Sequence, residues 1–340
     1  MQEQPDRTAS LPVLAVRSLT TSYETPDGTI RAVDNVSFDL HRGEILGIVG
    51  ESGSGKSTLA LSLLRLVPPP GRIEAGELMI GGRNVLALSP SEMRQVRGRE
   101  MAVIFQNPMR SLHFAFAIGW QLSEALRAHD NVPRKNALVR IVDALRAVGI
   151  PDAKRRAHNF PHQLSGGMQQ RVMIALSLMN NPQVLIADEP TTALDVTIQA
   201  QILELLKELA VERHMAVILV THNLGVVASI CDRMLVMYAG QVVEEGKVED
   251  VFSEPHHPYT LGLLNSLPER VMGDRLPTIK GTPPTVSSRL PVGCRFRPRC
   301  DFAEEICYSE PQLRSLAVGR RSRCWVSQHE GTLKVANVSM

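Results

Sequence analysis

The sequence predicts an α/β fold with a largely parallel sheet, a helical insertion, and a loop-rich C-terminal extension. Three observations carry that expectation. Between about residues 11 and 250, short apolar runs of strand length alternate with amphipathic stretches. Residues from about 107 to 180 have a helical texture, for example 139–148. After residue 250, Pro255, Pro258, Pro268, Pro277, Pro283, Pro284, Pro291 and Pro298 accumulate, and proline disfavours both helix and central strand.

Residues 44–49 read as a buried strand, followed by a Gly-rich turn and an apolar helix over 59–67 that Pro68-Pro69-Pro70 stops. Further strands are expected at 101–105, 183–187 and 216–220. Between the last two, Ile198, Ile202, Leu205, Leu206 and Leu209 recur at helical spacing on one face. Residues 234–238 and 241–244 flank Ala239-Gly240, which predicts a hairpin. The boundary at 250 divides the chain into a main domain, 11–250, and an extension, 251–340.

The 340 residues include 37 basic and 35 acidic side chains, a net charge of +2. That balance lacks the concentrated basic face of a nucleic-acid binder. The first residues, Met1 to Asp6, show no basic n-region followed by an apolar stretch, and no uninterrupted apolar run reaches about 18 residues. A soluble chain is therefore expected, touching a membrane only through partners. Of five cysteines, Cys231 stands alone and reads as packing at a buried strand edge, while Cys294, Cys300, Cys307 and Cys324 crowd the extension. In a reducing compartment such a cluster suggests metal binding more than disulfides.

Gly50-Glu51-Ser52-Gly53-Ser54-Gly55-Lys56-Ser57 fits G-x-x-x-x-G-K-[ST] between a strand and a helix. Glycines let the backbone curl so that amides face phosphate oxygens, and the helix N-terminus adds positive potential. Lys56 is expected on the β- and γ-phosphates and the Ser57 hydroxyl on magnesium. By itself the motif does not separate ATP from GTP. Val184-Leu185-Ile186-Ala187 then delivers Asp188 and Glu189 to the end of an apolar strand, where ligands of open α/β sheets bind. Asp188 suits magnesium and Glu189 suits a general base polarising the attacking water. A helix N-cap acid pair is the alternative for the two carboxylates.

Leu164-Ser165-Gly166-Gly167-Met168-Gln169 resembles the L-S-G-G-x-Q signature of the ABC ATPases and lies 24 residues before Glu189. Other motifs fall in register with that family: Gln106 resembles its Q-loop, Ala193-Leu194-Asp195 its D-loop, and His222 its switch histidine. The resemblance implies an ABC-type nucleotide-binding domain and a dimer with two composite sites. In each, the Ser165–Gly167 amides grip the γ-phosphate of ATP held by the other subunit. It further implies ATP contacts from Tyr23 (adenine stacking, which favours ATP), Gly50, Ser52, Gly53, Ser54, Gly55, Lys56, Ser57, Thr58, Gln106, Gln169 and Asp195. Magnesium would be held by Ser57, Gln106 and Asp188, and catalysis by Glu189 and His222.

Phe105-Gln106-Asn107-Pro108-Met109-Arg110-Ser111-Leu112, Asp188 to Thr197, His257-Pro258-Tyr259-Thr260, and the run from Pro291 to Cys300 and on to Cys324-Trp325 resemble the D-type ATP-binding subunits of oligopeptide/dipeptide permeases. That group also includes nickel and opine importers. His113-Phe114, where Asn-Pro is usual, and Asn223, where Asp is common, depart from it. The resemblance implies a peripheral subunit on the cytoplasmic face of the membrane. Its partners would be a second ABC ATPase (a paralogue, with a homodimer open), two integral membrane permease subunits and an extracytoplasmic substrate-binding protein. Only about 115 residues separate Gly50 from Ser165, too few for the coiled coil of chromosome and repair ATPases, the non-transport alternative. The cysteine spacing, wider than tight zinc pairs, favours a 4Fe–4S cluster on Cys294, Cys300, Cys307 and Cys324, with structural zinc as the alternative. The family resemblance points the same way. Nothing in these residues selects the transported solute.

Overall fold

The computed structural model describes residues 11–330 except 27, 108–110, 131, 193, 268–277 and 285–289. Pro108 to Arg110, Ala193, Pro268 and Pro277, all used above, lie outside the described residues. The chain falls into two compact units, one of residues 1–14, 40–45 and 80–219, the other of 15–39, 46–79 and 220–340.

In the first unit, Met101–Ile104 and Val184–Asp188 pair in parallel, with Met101 opposite Val184 and Ile104 opposite Ala187. Ala216–Thr221 flanks Val184–Asp188 on its other side. Val184 to Ala187 are fully buried, which is why they read as a continuous apolar run rather than an alternating one. Helices Ile118–Arg127, Arg134–Ala147, Ala153–Arg156 and Gly166–Ser177 follow the first strand. Ile118, Leu122 and Leu126, one face at a four-residue spacing, are buried as the first helix packs on the second and the fourth. The Ser177 hydroxyl donates to the Val103 carbonyl at 2.8 Å, fixing the fourth helix to the strand beneath it. Ile202, Leu205, Leu206 and Leu209 of Val196–Glu212 are buried along the face their spacing predicts.

In the second unit, Leu14–Thr25 lies between Gly28–Leu40 and Gly71–Ile80 in one sheet. In the other, Ile45–Val49 runs parallel to Arg233–Tyr238, which turns back into Gln241–Lys247. The turn is Ala239-Gly240, with φ of 46° and 85°. Two positive φ values match a two-residue hairpin whose twist suits the strands. The extension adds strands of its own. Arg320–Ser322 pairs antiparallel with Gln241–Lys247, Glu244 opposite Ser322, and Arg314–Ala317 pairs with it in turn.

The helix after the Gly-rich turn spans Lys56–Leu63, and the three prolines do not end it. Arg65 takes the left-handed conformation at φ 51°. Its amide donates to Ser62 O at 3.0 Å, and that of Leu66 donates to Leu61 O at 2.8 Å. That bond pair is a Schellman C-cap with arginine where glycine is usual. Cys231 likewise caps the helix Leu224–Ile230 instead of sitting on a strand. It packs on the core of this unit, and burial pushes its thiol far up.

Glu244 is 1% exposed and accepts the backbone amides of His256 at 2.6 Å and His257 at 2.9 Å, with Arg320 at 3.6 Å. Burial pushes its carboxyl up to about 7 despite those donors. A folded-state value above the unfolded one means stability that is complete below about pH 4.5 and lost as pH rises through about 7. Glu244→Gln should therefore gain stability relative to wild type across that window. Denaturant melts at pH 4.5, 6 and 7.5 check this, and a constant difference would contradict the burial argument.

Candidate functional site

The phosphate loop joins Ile45–Val49 to Lys56–Leu63 within the second unit. Two of its glycines are sterically required. A Cβ on Gly50 (φ 154°) would lie 2.2 Å from Met237 O, and one on Gly55 (φ 103°) 2.2 Å from Ala32 O. Gly55 caps the helix without a side-chain bond, and the N-terminal end of a helix is the end that attracts an anion. Lys56 is buried, its Nζ donating to Gly50 O at 2.8 Å, Glu51 O at 2.9 Å and Ser54 Oγ at 3.4 Å. Ser52, Gly53 and Ser57 are exposed, Thr58 is half-buried, and Ser54 is buried. Half-buried Tyr23 stands beside Gly71, where an added Cβ would come within 2.5 Å of its ring. His222, exposed, follows directly on Ala216–Thr221.

In the first unit, Asp188 ends its strand half-buried and Glu189 adopts φ 47°. A left-handed glutamate is uncommon and is maintained only where surrounding contacts over-determine it. Those contacts are visible: Glu189 Oε2 accepts from Gln106 Nε2 at 2.7 Å and from Thr192 Oγ1 at 2.9 Å. Two donors on one oxygen aim the carboxylate. Thr192 was not among the expected residues, although its position three after Glu189 fits a turn that folds back.

Ser165 caps the helix Gly166–Ser177, its hydroxyl accepting from Met168 N at 3.4 Å. Gly167 lies so close to Ile198 that a Cβ would approach within 2.9 Å. Gln169 is buried, its amide donating to Pro161 O at 2.9 Å and Leu164 O at 3.2 Å. Its side chain thus shapes the loop that precedes the signature. Gln170 donates to Pro190 O, tying this helix to the segment after Glu189. Asp195 caps Val196–Glu212 by accepting Ile198 N at 2.9 Å. Asn223 does the same for the helix after His222, accepting Gly225 N at 2.9 Å and Val226 N at 3.3 Å. Asparagine and aspartate are comparable N-caps, so this departure from the family pattern preserves the local structure.

The cysteine expectation is corrected. Cys294, Cys300, Cys307 and Cys324 line one small cavity with His257, Phe296, Phe302 and Trp325. Yet among the described residues no group of three or more His, Cys, Asp or Glu side chains is placed to hold a metal ion. Neither the 4Fe–4S cluster nor the zinc alternative has its ligand set. Burial raises three of the four thiols. It pushes the Cys294 and Cys324 thiols up, and that of Cys300 to about 12. Cys294 and Cys300 pack against the apolar core that includes Phe296 and Tyr259. Spacing counts thiols but carries no information on the dielectric around them.

A glycine-curled loop entering a helix, and an acidic strand end with an aimed carboxylate, define a phosphate-handling α/β protein. Residues 33–192 match the ABC transporter family and residues 243–307 the oligopeptide/dipeptide transporter C-terminal region. The chain is 48% identical to the oligopeptide transport ATP-binding protein OppD of Escherichia coli, over 92% of this chain and 93% of that protein. It is 48% identical to a probable peptide ABC transporter ATP-binding protein of Sinorhizobium fredii, over 96% and 98%. Among solved structures, the dimeric ATP-binding cassette MJ0796 bound to ADP and Pi superposes with a TM-score of 0.62 and 30% identity, covering 69% of this chain and 98% of that one. CbiO1 of Clostridium perfringens gives 0.63 and 29%, covering 72% and 92%. The chain belongs to the ATP-binding subunits of the oligopeptide/dipeptide ABC transporters and is an ABC-type ATPase.

Proposed function

We propose that this chain hydrolyses ATP to drive the import of peptides or related small solutes, acting in a dimer with two composite ATP sites. What carries the reading is the near full-length identity to OppD, together with a phosphate loop, an acidic strand end and a capped signature helix in family order. On this reading Lys56 and the amides of 53–58 hold the β- and γ-phosphates, and Tyr23 stacks on adenine. Ser57, Asp188 and Gln106 offer the hard oxygen donors that suit magnesium, which when bound neutralises charge on the phosphates. Glu189, aimed by Gln106 and Thr192, accepts the proton of the attacking water as its oxygen bonds to γ-phosphorus and the bridging P–O bond breaks. His222 holds the γ-phosphate. Ser165, Gly166 and Gly167 complete the site of the other subunit through their amides and helix dipole, with Gln169 holding their loop and Asp195 at the dimer contact. The ATPase domain ends near residue 250 and the peptide-permease extension follows.

No helix among the described residues is long and apolar enough to cross a membrane. The subunit sits peripherally on the cytoplasmic face, paired with a paralogous ATPase, against two permease subunits served by an extracytoplasmic binding protein. A patch suited to such contact follows Gln106. Phe114, Phe116 and Trp120 are exposed, and the rings of Phe116 and Trp120 stack at 4.0 Å. Purification of the tagged full chain from detergent-solubilised membranes tests the reading. Recovery of two integral membrane subunits and a second ATPase is expected. Recovery of ribosomes or DNA without a membrane partner would overturn it.

A further inference from the structure

We propose that Arg299 and Tyr259, both outside the nucleotide motifs, are positioning residues for the phosphate loop, so that the C-terminal extension sets ATP affinity. The inference rests on the reading of that loop as the ATP site. Three hydrogen bonds from two residues of the extension reach a single residue of the loop, and they hold different parts of it. The Glu51 carboxylate accepts a bidentate pair from Arg299, Nη1 at 2.7 Å to Oε2 and Nη2 at 3.0 Å to Oε1. The Glu51 amide donates to the Tyr259 hydroxyl at 2.7 Å. The carbonyl of the same residue accepts Lys56 Nζ. One residue, Glu51, thus links the extension to the lysine that meets the phosphates.

The clamp is built to be rigid. Arg299 is 7% exposed and Tyr259 fully buried. Arg299 Nε donates to Lys280 O at 2.8 Å, which fixes the guanidinium plane. Arg299 ends the short turn Arg297–Arg299 between Cys294 and Cys300, and Phe296 at the head of that turn packs on Tyr238 and Tyr259 at 5.2 and 5.4 Å. The cysteine-bearing segment therefore acts as the mount for Arg299. A buried guanidinium is costly unless its partner is well placed. The partner here is the residue after the first loop glycine, and a charge-assisted fork fixes its orientation as well as its distance. Removing either end frees the Glu51 side chain and loosens the residue whose carbonyl accepts Lys56.

The test is the dissociation constant of Mg·ATP for the full-length chain, measured beside the melting temperature. The variants are Arg299→Gln, Arg299→Lys, Glu51→Gln, Tyr259→Phe and the Arg299→Gln/Glu51→Gln double. We expect Arg299→Gln and Glu51→Gln each to weaken Mg·ATP about tenfold, a loss of about 1.4 kcal/mol. The double should be no worse than either single, because both act through one contact. Arg299→Lys should recover part of the loss, and Tyr259→Phe should cost about threefold. Unchanged ATP affinity in Arg299→Gln with a lowered melting temperature would overturn the proposal, leaving Arg299 a purely structural anchor. Additive losses in the double would overturn it too. If Arg299→Gln does not fold, Glu51→Gln cuts the same fork from its other end and Tyr259→Phe removes the bond to the Glu51 amide, and wild-type affinity in both is equally decisive against it. Lys56→Ala separates the two readings. Failure of wild type and Lys56→Ala to differ would defeat the ATP reading itself, whereas failure of the Arg299 and Glu51 variants alone defeats only the clamp.

Discussion

Glu189→Gln should retain ATP binding while hydrolysis falls by about 10²- to 10⁴-fold, the contribution of a positioned general base. The substitution isolates the chemistry because the surroundings can stay as they are. Glu189 Oε2 accepts from Gln106 Nε2 and Thr192 Oγ1, and a carboxamide oxygen can accept both bonds. What the carboxamide lacks is charge and the capacity to take a proton from water. The left-handed backbone at φ 47° is indifferent to the change, since both residues have the same backbone and length. ATP-loaded dimers should accumulate, because the step that ends the closed state is removed. Single-turnover phosphate release at saturating ATP measures the loss, and a rate within threefold of wild type would remove Glu189 from the mechanism.

Lys56→Ala should weaken ATP binding by roughly 100-fold, since a hydrogen bond to a charged group contributes about 1.5–3 kcal/mol and this ammonium meets two phosphates. The fold should tolerate it. Lys56 is the first residue of its helix, and alanine is the strongest helix former. The bonds lost, to Gly50 O, Glu51 O and Ser54 Oγ, lie within the loop itself, which Tyr259 and Arg299 still hold. Equilibrium binding of ATP with magnesium, next to a thermal melt, reads both effects. A variant that binds ATP like wild type would place the phosphates elsewhere.

The two predictions rest on parts of the site that were legible to different degrees. The loop from Gly50 to Ser57 could be read outright, because its chemistry is a local pattern: glycines where a Cβ would strike Met237 O or Ala32 O, then a lysine opening a helix. The strand Val184–Asp188 and the hairpin at Ala239-Gly240 are local for the same reason. The end of the helix Lys56–Leu63 misled, since prolines are conspicuous while an arginine in a glycine's conformation leaves no mark. The pair Arg299–Glu51 spans 248 positions, and no periodicity connects such residues. The cysteines were misread for a related reason. Their spacing is in the chain, but the apolar walls around them come from Phe296 and its neighbours only once the extension has folded.

The claim that this ATPase powers peptide import is tested most directly by uptake of a labelled oligopeptide into proteoliposomes. These would hold the complete complex, with ATP supplied on the face that bears this subunit and the binding protein on the other. Uptake that requires ATP, and that stops when this chain alone carries Glu189→Gln, is the predicted result. ATP hydrolysis that proceeds at the wild-type rate with no peptide accumulating, whatever the binding protein delivers, would contradict the account.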